Sequence, residues 1–101
     1  MKHICQKDSN GCGIASVAMV SKKSYDEVRQ IYLDIGGDEY SIGDNGTGVS
    51  FEMMQKLLKE VKFPQVRLVN TPCIASLKID NRFHFVVIDE NGFKLDPIKG
   101  V

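Results

Sequence analysis

Apolar positions are spread unevenly along this chain, and their spacing predicts helices in its first part and strands in its second. From Gly13 to about Lys22, GIASVAMVSK is small or apolar on nearly every side, the pattern of a helix enclosed by the rest of a domain. SYDEVRQIYLDIGG opens with Ser24 and Glu27 in capping-box spacing, carries Val28, Ile31 and Tyr32 on one face, and stops at Gly36 and Gly37. That is a second, amphipathic helix. DEYSIGDNGTGVS is dense in Gly, Asp, Asn and Ser and predicts an exposed loop ending at Ser50, the N-cap of a third helix, FEMMQKLLKEVKF. Phe51, Met54, Leu57, Leu58 and Val61 form the apolar stripe of that helix.

After Pro64 the period changes. QVRLVN, CIASLKI, RFHFVVID and GFKLDPI are short segments with alternating or β-branched residues, and ENG between the last two is a hairpin turn. Helices followed by antiparallel strands predict an α+β fold, with a central helix packed on a C-terminal sheet, in a single domain spanning residues 1–101. A domain of this size buries roughly 60% of its unfolded surface, enough for one modest core.

Composition narrows the function. Apolar residues at 43% and charged residues at 26% exclude a disordered chain. Thirteen basic and thirteen acidic side chains cancel, so no global field draws the protein to nucleic acid or anionic lipid; a polyanion partner would need a local patch. Three cysteines without a CxxC pair, beside only two histidines, fit neither a disulfide framework nor a structural zinc site. No metal or cofactor is expected. MKHICQKDSN lacks the apolar stretch of a signal peptide and no run reaches the length of a membrane span, so a cytoplasmic location without membrane insertion is expected.

The chemistry gathers around Cys12. A cysteine in the first turn of a helix meets unpaired N–H groups and the positive end of the macrodipole, which predicts a thiolate. Gly11 and Gly13 on either side leave room for a substrate to approach the backbone. Such a nucleophile needs an imidazole. His84 lies on a strand, on the face opposite Phe83 and Phe85, and the hairpin brings Asp96 close enough to hold its ring. Gln6 can donate its amide to a developing oxyanion, together with the Cys12 N–H. His3 reads as a loose terminal residue, Cys5 and Cys73 as core or near-core thiols, and Lys56, Lys59 and Lys62 as a solvated face. Gly36 and Gly37 resemble a double-glycine cleavage site, but a helix stop explains them.

QKDSNGCGIASVAMV, GVSFEMMQKLLKEVKF, TPCIASLKID and HFVVIDENGFKLDP, in this order, resemble the papain-like cysteine peptidases of the bacteriocin-processing, double-glycine leader peptidase family. The resemblance implies a papain-like fold with Gln6 as oxyanion residue, Cys12 as nucleophile, His84 as general base and acid, and Asp96, followed by Pro97, as the orienter of the histidine. At one position the chain departs from the family: Gly11 stands where an acidic residue usually precedes the cysteine. The expected activity is hydrolysis of a peptide or amide bond. The alternative is a toxin or effector, delivered into target cells, that uses Cys12 and His84 on RNA such as tRNA or deamidates a glutamine; a third reading is a binding module without turnover. The expected partners are a peptide or protein substrate and an immunity or inhibitor protein, with nucleic acid less favoured by charge.

Overall fold

The computed structural model describes residues 1–63, 72–79 and 82–98. Within them the chain forms a small α+β domain of four helices and a three-stranded antiparallel sheet. Helix α1, Cys12–Ser21, is enclosed as its composition predicts: every residue from Cys12 to Val20 is buried. Helix α2, Tyr25–Asp34, starts with a complete capping box in which the Ser24 hydroxyl accepts from Glu27 N–H while the Glu27 carboxylate accepts from Ser24 N–H. Its buried positions are Tyr25, Val28 and Tyr32.

The segment expected as an exposed loop contains a further short helix, α3, Glu39–Ile42, capped by the Asp38 side chain. Ile42 and Val49 are both buried, so two apolar residues inside this polar stretch anchor it to the core. Local composition concealed this, because the burial is supplied by distant parts of the chain. Helix α4, Phe51–Glu60, is capped by Ser50 and buries Met54 and Leu57. Phe51, expected on its apolar stripe, is instead 52% exposed and stands edge-on to Phe85 with ring centroids 5.5 Å apart.

Strand β1, Cys73–Ile79, pairs antiparallel with β2, Arg82–Ile88, which pairs with β3, Lys94–Leu95. The turn between β2 and β3 is closed by Asp89, whose carboxylate accepts the N–H groups of Asn91 and Phe93. β3 is shorter than GFKLDPI suggested. Pro97 has no N–H to give the ladder, and the Asp96 carboxylate takes the N–H of Ile98 at 2.9 Å, so strand pairing stops at Leu95. The strand expected over QVRLVN lies outside the described residues.

α1 packs against β2 and α2, with lesser contacts to α4 and β1. Ile14, Val17 and Ala18 of α1 meet Val28, Leu57 and Phe85 in the main cluster; Met19 and Val20 join Val87 in a second. Among the described residues no helix is long and apolar enough to cross a membrane.

Candidate active site

Three segments far apart in sequence converge at the start of α1. Cys12 is the first helical residue, 9% exposed, and its sulfur accepts the N–H of Phe85 on β2 at 3.5 Å. The residue before Phe85 is His84, whose Nε2 lies 2.7 Å from Asp96 Oδ1. The β2–β3 register pairs Val87 with Leu95, so Asp96, one residue on, is diagonal to His84 and reaches it through its side chain.

This contact settles where protons sit. Burial alone would push the Asp96 carboxyl up, but the hydrogen bonds from Ile98 N–H and the His84 ring, with the nearby charges of His84 and Lys94, outweigh it and hold the carboxyl below its ordinary value. An ionised carboxylate only accepts, so His84 donates through Nε2–H and, when neutral, keeps its basic lone pair on Nδ1. Among the described residues Nδ1 has no hydrogen-bond partner.

The sulfur behaves differently from the sequence expectation. Burial pushes the Cys12 thiol up from its ordinary value, against the lowering effect of the N–H groups of Phe85, Gly13 and Cys12 itself; the charge of Asp96 raises it further. Desolvation outweighs the helix start, so the resting group is a thiol and not the thiolate that the helix position alone suggests.

Gln6 is held at the site by its backbone, with its N–H donating to the Pro97 carbonyl at 2.8 Å. Its side-chain amide serves its own loop: Nε2 donates to the carbonyls of Ser9 at 2.8 Å and Asp8 at 3.2 Å. Both amide hydrogens are therefore engaged, while Oε1 is buried without a partner among the described residues.

Gly11 and Gly13 serve the packing of the helix start, because neighbouring atoms fill the place a side chain would take at either position. A Cβ on Gly11 would fall 2.0 Å from Tyr25 Oη, and one on Gly13 would fall 2.8 Å from Met54 Sδ and 3.1 Å from Val49 Cβ. Both glycines are buried.

Several residues at the site had no clear sequence signal. Asp8 accepts from Tyr25 Oη at 2.6 Å and Arg29 Nε at 3.0 Å, and Arg29 also binds Glu39 at 2.8 Å. Burial, then the bond to Asp8, pushes the Tyr25 phenol up; the bonds to Glu39 and Asp8 raise the Arg29 guanidinium. Asn10 ties the loop to α3 and beyond, its Nδ2 donating to the carbonyls of Gly43 at 2.7 Å and Gly46 at 3.1 Å. The segment delivering Cys12 is thus braced on α2 and α3. His3 is not loose: its Nε2 hydrogen-bonds the Asp96 carbonyl. Its being one of only two histidines was the available hint. Cys5 and Cys73 are part-buried free thiols. Among the described residues no group of three or more His, Cys, Asp or Glu side chains could hold a metal ion. Comparison of the chain with protein-family models, curated proteins and solved structures finds no match.

Proposed function

We propose that this protein is a papain-like, thiol-dependent hydrolase of peptide or amide bonds. The observation that carries the reading is the convergence of Cys12 Sγ on Phe85 N–H, next to a His84 ring held 2.7 Å from Asp96. Nucleophile, base and orienter come from the start of a buried helix, the central strand and the end of a hairpin. Chance packing explains each alone better than it explains all three together.

In this reading Cys12 rests as a thiol and passes its proton to His84 Nδ1 as the sulfur attacks the carbonyl carbon. The Asp96 carboxylate steadies the imidazolium so formed. His84 then protonates the leaving amine, and water, deprotonated by the same ring, releases the acyl group. The Cys12 N–H and one Gln6 amide hydrogen would hold the oxyanion, which requires Gln6 to release one of its loop carbonyls.

The test is turnover of a peptide library by the wild type, Cys12→Ala and His84→Ala. Each variant should lose at least about 10³-fold in rate while its melting curve stays close to the wild type. Retained turnover in either folded variant excludes the mechanism. Cleavage of tRNA that vanishes with Cys12→Ala, without peptide cleavage, would replace it by the toxin reading.

A further inference from the structure

A groove of about 920 Å³ lies at the other end of α1, and neither Cys12 nor His84 lines it. Its floor is apolar, with Ile4 from the N-terminal arm and Met19 and Val20 from α1, and its rim carries Lys2, Lys22 and Lys23. Lys7 also lines it but is paired with Asp26 at 3.0 Å. The single carboxylate among the described lining residues, Glu90, lies 3.8 Å from the Met1 amine. Lys2, Lys22 and Lys23 have no ion-pair partner among the described residues. On a chain whose formal net charge is +0, this is a local concentration of positive charge over a hydrophobic floor.

We propose that this groove docks an acidic, partly apolar segment of a partner protein, with carboxylates on the lysine rim and an apolar side chain on the floor. The volume is within the range of about 300–1,000 Å³ typical of sites that enclose a small group or side chains. Charge complementarity of this kind sets partner choice and association rate. The floor argues against single-stranded nucleic acid, whose binding relies on exposed aromatic faces. Of the aromatic rings among the described lining residues, Tyr25 is 3% exposed with its hydroxyl bound to Asp8, and the His3 ring is tied to the Asp96 carbonyl. The assignment does not depend on the chemistry of Cys12.

The experiment is fluorescence anisotropy on the full chain with a short fluorescein-labelled peptide of alternating Glu and Leu. A Lys–Leu peptide of equal length and an oligo(U) RNA serve as comparisons. The Glu–Leu peptide should bind saturably and release as salt rises; the Lys–Leu peptide should not bind. Lys22→Glu with Lys23→Glu, and separately Lys2→Glu on the arm, should each weaken binding, the double variant by roughly tenfold or more. Lys56→Glu with Lys59→Glu on exposed positions of α4 should leave it unchanged. No binding of the Glu–Leu peptide, equal binding by the rim variants, or rim-dependent capture of oligo(U) alone would overturn the proposal.

Discussion

The two ends of α1 solve opposite problems. At its start, Gly11, Cys12 and Gly13 are buried, and side chains of α2, α4 and the sheet close around them. At its end, Lys22 is exposed in left-handed backbone (φ 61°) beside an open groove. The helix macrodipole favours an anion at the first end and cations at the second, each by about 0.3–1 kcal/mol near the surface. Only the second end follows that preference simply, with Lys22 and Lys23 in place. At the first, enclosure outweighs the dipole and the Cys12 thiol is pushed up. Where packing closes over a helix terminus, desolvation decides the charge state.

The largest effect on stability should come from filling the closed end. Gly11→Ala places a methyl 2.0 Å from Tyr25 Oη, and that hydroxyl cannot move away without giving up its 2.6 Å bond to Asp8. Overpacking of this kind costs about 1–3 kcal/mol, which in a domain of this size lowers Tm by roughly 4–8 °C per kcal/mol. Calorimetry should therefore show a clear drop. The same change at Gly13 should be milder, because the nearest atom is the far end of the Met54 side chain and Ala is the better helix former by about 1 kcal/mol. An unchanged Tm in Gly11→Ala would mean that the closed end is not tightly packed.

Next in size is Asp96→Ala, which removes the acceptor for both His84 Nε2–H and Ile98 N–H. Hydrogen bonds to a charged group are worth about 1.5–3 kcal/mol each, but Ile98 is exposed and the His84 ring only partly buried, so water replaces part of the loss and about 1–2 kcal/mol in total is expected. The pH dependence gives a sharper check. The folded carboxyl is held below its ordinary value, so its contribution is fully present above the unfolded carboxylate pKa and fades as pH falls through the lower, folded one. Melting across the acid range should show a decline in the wild type that is shallower in Asp96→Ala. Identical acid limbs would show that Asp96 is not clamped as described.

Much of this contrast was legible in the sequence, but only where the causes are local. Ser24 and Ser50 announce their helices because a cap needs nothing beyond its own first turn, and both make the expected bonds. His84 and Asp96 meet because a hairpin brings its two strands back together, although the register makes them diagonal. What escaped were features set by distant chain. α3 is held by the burial of Ile42 within a stretch whose composition says loop. The Asp8–Tyr25–Arg29 brace joins two separate elements, and nothing near Gly11 foretells that Tyr25 Oη fills the space beside it. The basic rim is assembled from Lys2, Lys22 and Lys23, residues that no single window brings together.

The smallest effect, and the one that sets the two ends most directly against each other, is expected from Lys22→Gly. An L-residue in left-handed backbone bears roughly 1–2 kcal/mol of strain that glycine does not. Against this stand the greater unfolded-state freedom of glycine, about 0.5–1 kcal/mol, and the loss of a cation near a helix C-terminus, about 0.3–1 kcal/mol. The Lys22 N–H bond to the Ala18 carbonyl is a backbone contact and survives. The balance is a gain of at most about 0.5 kcal/mol, a rise in Tm of no more than roughly 2–4 °C. The same substitution removes one ammonium from the groove rim, so affinity for the Glu–Leu peptide should fall while stability rises. Opposite signs in one variant would show that charge at this end is kept for a partner rather than for the fold. A Tm below that of the wild type would instead make Lys22 a structural cap.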